Sequence, residues 1–379
     1  MNDIKKMKVM TVIGTRPEII KLSETIKELD RYTDHVLVHT GQNYDYELNE
    51  IFFKDLGLRK PNHFLNVAGA SASVTVGNVI SKLDDILEKE KPDAFLILGD
   101  TNSCMGMYAA KRRKIPIFHI EAGNRCFDMR VPEELNRRVI DHTSDINLVY
   151  SDVTRHNLLR EGLPMDRIIK IGSPVFEVLS AHKKEIRNST VVKDMALREK
   201  DYFVLSAHRE ENINIESNFK KFVDIINRVS SHYDKPIIFS VHPRTRKRLE
   251  EEKITLPKNV KATVPLGFFD YVNLQMNAFC VLSDSGTISE ESSMLNFPGI
   301  NIRDTNERLE AMDEASVIMT GLDPDRVLQA IEIARDQRRG DDRDFIMPVD
   351  YGNINVSKKV VRIIVSYVNY VKRTVWSEF

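Results

Sequence analysis

The chain has 379 residues, enough for two domains that each bury a core at roughly 100–200 residues per domain. Its 55 Lys and Arg balance 56 Asp and Glu for a formal charge of −1, so no global field draws it to nucleic acid or an anionic membrane, and any anionic ligand must be met locally. The 42% hydrophobic content with 16 Gly and 14 Pro excludes a fibrous or disordered chain, and three scattered cysteines, Cys104, Cys126 and Cys280, with no CxxC, indicate neither a disulfide framework nor a zinc site.

The apolar run from Val9 to Ile13 meets Gly14 too soon to be a signal segment, and no run approaches the roughly 18 apolar residues of a membrane span. A cytoplasmic protein is expected. Short β-branched runs then alternate with longer amphipathic stretches, the βαβ rhythm of parallel sheets covered by helices. Strands are predicted at Lys8–Ile13, His35–Thr40, Ala94–Leu98, Ile115–Ile120, Ile146–Tyr150 and Ile168–Ile171. A second set is predicted at Tyr202–Ser206, Ile237–Val241, Val260–Val264, Phe279–Ser283, Gly299–Ile302 and Val317–Thr320. Two Rossmann-like α/β domains facing a cleft follow, at residues 1–173 and 174–355, with a break at Gly172-Ser173-Pro174. Residues 356–379 place Val360, Ile363, Ile364, Tyr367 and Val371 at helical spacing, which predicts a C-terminal helix packing back on the N-terminal domain.

In such sheets ligands gather beyond the carboxyl ends of strands, and five polar clusters fall there. Gly14-Thr15-Arg16-Pro17-Glu18 joins a tight turn to a helix start and offers the Arg16 fork to a phosphate, though a turn with an exposed Arg reads equally well. Gly99-Asp100-Thr101-Asn102-Ser103 places a carboxylate that is either functional or a helix N-cap. The next strand ends in His119-Ile120-Glu121-Ala122-Gly123, and Pro132-Glu133-Glu134 follows, where the glutamates could also complement a helix N-terminus. Ala207-His208-Arg209-Glu210-Glu211-Asn212 opens the second half with a histidine suited to acid–base work or to a leaving diphosphate, whereas His242-Pro243-Arg244 reads as structural. Ser283-Asp284-Ser285-Gly286-Thr287 puts small residues and free N–H groups at a helix start, with a glutamate one turn on for a ribose diol. Neither a GxGxxG dinucleotide fingerprint nor a P-loop is present.

Taken in order, GTRPE, GDTNS, HIEAG, PEELNR, AHREEN and SDSGTISEE resemble the non-hydrolysing UDP-N-acetylglucosamine 2-epimerases, from Lys8 to about Asp313. The resemblance implies a glycosyltransferase-B-like architecture, a homodimer, a UDP-sugar substrate, and neither NAD nor a metal. It assigns Asp100, Glu121, Glu133 and His208 to catalysis, and Arg16, Lys21, Arg209, Ser285, Gly286, Thr287, Glu291 and Arg308 to substrate and UDP. A loop two residues shorter between Glu121 and Pro132, and AHREEN in place of GHRRE, look like the branch that makes UDP-N-acetyl-L-fucosamine from UDP-2-acetamido-2,6-dideoxy-L-talose for capsule and O-antigen synthesis. The family's Gln-His pair tied to allosteric UDP-GlcNAc binding is replaced by Gly41-Gln42-Asn43-Tyr44-Asp45, so the resemblance does not extend to that activation. A glycosyltransferase, a hydrolysing epimerase and a silent nucleotide-sugar-binding regulator remain open as alternatives.

Overall fold

The computed structural model describes residues 5–42 and 46–378, so Asn43, Tyr44 and Asp45 lie outside the described residues. The chain divides into two compact units, one holding residues up to Ala181 and from Asp350 onward, the other His182–Val349.

The first unit is built on β1 (Lys8–Ile13), β2 (Asp34–His39), β3 (His63–Phe64), β4 (Ala94–Leu98), β5 (Ile117–Ala122), β6 (Ile146–Val149) and β7 (Ile168–Lys170). All pair in parallel in the order β3-β2-β1-β4-β5-β6-β7. Strands of this kind are covered on both faces, which is why Ala94–Leu98 is a continuous apolar run with every residue buried. Two differences from the expected elements have local causes. The strand β3 adds an edge of only two residues, too short for any periodic signal. The strand β5 begins at Ile117 and runs to Ala122 because Ile115 closes the preceding helix through its N–H to Ala110 O, and Pro116 has no N–H to give a ladder.

The helix Arg16–Tyr32 starts on an N-cap Thr15 with Pro17 in its first turn and buries Ile19, Leu22, Ile26 and Leu29, one stripe at helical spacing. The C-terminal helix Val356–Trp376 packs against it and buries Val360, Ile364, Val368 and Val371. Expected boundaries at 173/174 and 355/356 meet observed ones at 181/182 and 349/350. The helix Val175–Ala181 belongs with the first unit because the buried Glu177 carboxylate accepts the Ser357 N–H at 2.8 Å and its Oγ at 2.7 Å, anchoring the start of the last helix.

The second unit carries β8 (Phe203–Ala207), β9 (Ile237–Val241), β10 (Val260–Thr263), β11 (Cys280–Ser283), β12 (Gly299–Asn301) and β13 (Val317–Met319). They pair in parallel in the order β10-β9-β8-β11-β12-β13. In both units the order reverses once, between β1 and β4 and between β8 and β11, and at such a reversal the loops leave in opposite directions and open a crevice beyond the strand ends. Among the described residues no helix is long and apolar enough to cross a membrane.

Candidate active site

At the first reversal, the turn after β1 approaches the loop after β4 so closely that a Cβ on Gly14 would stand 2.0 Å from Ser103 Oγ and 2.2 Å from Thr40 Oγ1, so only glycine fits. Arg16, partly exposed beside it, has its guanidinium 6.0 Å from the Phe52 ring centroid. Lys21, one turn into the helix, is buried and sets its Nζ 2.6 Å from Glu121 Oε2. The Tyr150 hydroxyl, fully buried at the end of β6, donates to the same oxygen at 2.9 Å. Glu121 itself sits in the left-handed region at φ +71° on a bulge where Glu121 and Ala122 together oppose Val149. A non-glycine residue there costs about 1–3 kcal/mol and is retained where the bulge re-aims a side chain.

On the neighbouring strand, Asp100 accepts from Arg137 Nε at 2.8 Å. The N-cap alternative for Asp100 does not hold, because Thr101 caps the short 3-10 helix Asn102–Gly106 by accepting from Ser103 N. Arg137 is buried and also donates to Glu134 Oε2 at 2.9 Å, an oxygen that further accepts from Cys126 N at 3.1 Å. Both glutamates lie in the first turn of the helix Pro132–Thr143, but Glu134 is the buried ion-pair partner while Glu133 is only partly buried. Behind the two strand tips, His119 bridges Asp141 Oδ1 at 2.9 Å and the Gly99 carbonyl at 2.8 Å.

At the second reversal, His208 follows the end of β8 and Asp284 the end of β11. The Asp284 carboxylate, fully buried, accepts the His208 N–H at 2.9 Å, the Arg209 N–H at 2.9 Å and Asn212 Nδ2 at 3.2 Å, and faces His208 Nδ1 at 3.2 Å. Burial alone would raise its pKa, yet the His208 ring and the Arg209 N–H outweigh burial and hold it below the ordinary aspartate value. Its Nδ1 turned to this carboxylate, the His208 ring leaves Nε2 on its other edge. The His242 ring lies 5.7 Å from that of His208 and caps the helix Pro243–Glu251 by accepting from Arg244 N. That is a structural role.

The Ser285–Thr287 turn precedes the helix Thr287–Leu295, with Ser285 Oγ 3.0 Å from Thr287 Oγ1. Glu307 covers Gly286 so tightly that an added Cβ would fall 2.1 Å from Glu307 Oε1, and Arg303 Nη1 holds the other carboxylate oxygen at 3.1 Å. Arg209 Nη2 stands 3.8 Å from Glu307. Glu291 accepts from Gln275 Nε2 at 2.7 Å. Arg308 is buried with its Nε 3.1 Å from Glu290, so its charge is answered inside this unit. Within the first unit the fold brings Lys21 to Glu121 and leaves Asp100 to Arg137; within the second it brings Arg209 towards Glu307 and His208 to Asp284. Sequence reasoning gave no role to Arg137, although it ends the PEELNR motif, and passed over Tyr150, Arg303 and Glu307. The one sequence signal was the helical i,i+3 and i,i+4 spacing of Glu134 with Arg137 and of Arg303 with Glu307. Among the described residues no group of three or more His, Cys, Asp or Glu is arranged to hold a metal ion.

A model of the UDP-N-acetylglucosamine 2-epimerase family matches residues 27–365. Among solved structures, the chain is similar to the UDP-N-acetylglucosamine 2-epimerase of Rickettsia bellii, at 48% identity and a TM-score of 0.92 over 98% of this chain and 100% of that one. It is also similar to the Methanocaldococcus jannaschii UDP-GlcNAc 2-epimerase in complex with UDP-GlcNAc and UDP, at 34% identity and a TM-score of 0.89 over 95% of this chain and 100% of that one. A relative from Pseudomonas aeruginosa, a UDP-2,3-diacetamido-2,3-dideoxy-D-glucuronate 2-epimerase, is 30% identical over 93% of this chain and 98% of its own length.

Proposed function

The chain belongs to the UDP-N-acetylglucosamine 2-epimerase family, and from that premise we propose that it inverts C2 of a UDP-2-acetamido sugar by eliminating UDP and adding it back. It is an isomerase that acts on a UDP-sugar. The observation that carries the mechanism is the pair of carboxylates at adjacent strand ends, Asp100 and Glu121, each set against a buried cation, Arg137 and Lys21.

The C2 proton lies beside an acetamido group with no carbonyl to acidify it, so direct removal fails. In elimination a carboxylate takes the C2 proton as the C1–O bond breaks, giving a 2-acetamidoglycal and UDP. UDP oxygen then re-forms the C1 bond while a second group delivers a proton to the opposite face of C2. Nothing is oxidised or reduced overall, so no nicotinamide is required. Two faces need two proton carriers, and Asp100, Glu121 and Glu133 are the groups we assign to them. As the family resemblance implies, we assign Arg16, His208, Arg209, Arg308 and the N–H groups of the Ser285–Thr287 turn to the departing diphosphate and Glu291 to the ribose.

The substrate we propose is UDP-2-acetamido-2,6-dideoxy-L-talose, supported by the short loop from Asn124 to Val131 and the AHREEN sequence. A second reading, UDP-N-acetylglucosamine, is favoured by the names of the relatives from Rickettsia bellii and Methanocaldococcus jannaschii. Incubating the protein with each UDP-sugar in deuterium oxide and following C2 by NMR tests both. Deuterium at C2 with inverted configuration is expected, and the faster sugar names the substrate. Asp100→Asn and Glu121→Gln should each slow exchange by about 10²–10⁴-fold while UDP still binds. UDP binding without exchange of any sugar would leave a silent binding protein and refute the reading.

A further inference from the structure

We infer that Glu18 is a positioning residue for this reaction: its buried carboxylate ties the turn that carries Arg16 to the turn that carries Asp100. The inference rests on the epimerase reading above. Glu18 Oε2 accepts the N–H groups of Gly14 at 2.6 Å and Thr15 at 2.7 Å, and the Thr15 hydroxyl at 3.1 Å. An ordinary capping box would end there, having satisfied only its own helix. Here Oε1 reaches across to accept the Thr101 hydroxyl at 2.6 Å, a residue 83 positions away and next to Asp100. Thr101 Oγ1 in turn takes the Ser103 N–H at 3.2 Å, and Ser103 Oγ meets Thr40 Oγ1, beyond the end of β2, at 2.7 Å. One carboxylate thus joins the loops leaving β1 and β4, and through Ser103 the loop leaving β2.

Each of these four groups donates to Glu18, so the anion accepts them all; a proton on Oε1 would force the Thr101 hydroxyl to turn and accept, leaving its own O–H without the Glu18 acceptor and weakening the crossing link. The helix N-terminus of Arg16–Tyr32 supports that anion. Burial opposes it strongly enough to outweigh the hydrogen bonds from Thr101, Gly14 and Thr15, and pushes the Glu18 pKa up from 4.5 to about 7. The ionisable neighbour facing it is Cys104, 3.8 Å from Oε1, whose thiol is pushed well up by burial and then by the charges of Glu18 and Asp100. The fold therefore holds a carboxyl whose ionised form burial disfavours at the point where the two turns meet.

Glu18→Gln is the test, because its amide oxygen can still accept from Gly14 and Thr15, whereas its NH2 meets Thr101 Oγ1 only with that hydroxyl turned to accept and its O–H deprived of the Glu18 acceptor, which weakens the crossing link alone. Expected is a fall in kcat for C2 inversion of roughly 10- to 100-fold with KM little changed, since small misplacements of catalytic groups cost that much. The limb of the wild-type kcat profile that falls as pH drops through about 7 should vanish in the variant. Because the folded pKa is raised, wild type loses stability as pH rises from 4.5 to about 7, so Glu18→Gln should melt no lower than wild type at pH 8. Thr101→Val, which removes the crossing link and the cap on Ser103 N–H but leaves the Glu18 bonds to Gly14 and Thr15 intact, should also lower kcat. Full kcat in both variants beside an active wild type overturns the positioning role alone. A melting temperature lowered in step with kcat and a raised KM also overturns it, in favour of a plain cap. A wild type that exchanges no C2 proton with any UDP-sugar refutes the epimerase reading and the positioning role with it.

Discussion

Replacing Lys21 by Met would take away the buried cation that faces Glu121. The two side chains are only 6% and 10% exposed and their charged atoms lie 2.6 Å apart. At an effective dielectric of 20 that distance corresponds to about 6 kcal/mol of gross attraction. Desolvating both ions consumes most of it, so the intact pair contributes little net stability, but removing one partner leaves the other buried without its counter-charge at a cost of about 3–5 kcal/mol. Tyr150 still donates to Glu121, which places the expected loss at the lower end, near 3 kcal/mol. Lys21→Met with Glu121→Gln removes both charges and should recover at least about half of that loss. The single tryptophan makes the assay local: Trp376 lies in the last helix of the first unit, 5.2 Å from Lys111 Nζ, so its fluorescence in urea reports the unfolding of this unit. A Lys21→Met loss below about 1 kcal/mol, or a double variant no more stable than the single one, would refute the view that this pair is buried and mutually dependent.

Two further substitutions address the second unit. Asp284 has its pKa held down by His208 and Arg209 against the effect of burial, so its contribution is complete above the unfolded value near 4 and is lost only as pH falls through the lower folded value. Asp284→Asn should therefore destabilise by about 1–3 kcal/mol at neutral pH and flatten the acid limb of stability below about pH 4, measured by calorimetric melting across pH. Gly286→Ala drives a methyl to within 2.1 Å of Glu307 Oε1 and must push that carboxylate off the turn. A cost of about 1–3 kcal/mol and a UDP affinity at least about 10-fold weaker are expected from melting and titration calorimetry; unchanged affinity would remove the Ser285–Thr287 turn from the diphosphate site.

The elements that sequence periodicity locates well are those buried on both faces. Ala94–Leu98, apolar and buried throughout, and Ile237–Val241, apolar except for the partly buried Ser240, fall where their runs predict, because a parallel strand covered on both faces reads as a near-continuous apolar run. The shifted start of β5 and the edge strand β3 escape that logic, the first through Pro116 and the second through its length of two residues. Among the candidate site residues, the turns at Gly14, Asp100, His208 and Ser285 are legible because glycine, proline and small hydroxyl residues mark strand ends in the local sequence. Their partners are another matter. Arg137, Tyr150 and Glu307 look in sequence like ordinary helix, strand and loop residues.

What the sequence determined by itself is therefore the set of elements and the residues at their tips, since both follow from interactions within a few residues: alternation of burial, backbone freedom at glycine, and capping. Tertiary structure alone decided the pairings. Lys21 finds Glu121 across 100 residues, Glu18 finds Thr101 across 83, and Asp284 finds His208 across 76. Such distances close only when the strand order brings β1 beside β4 and β8 beside β11. That order is chosen by burial of whole sheet faces and carries no mark on the individual charged residues it brings together.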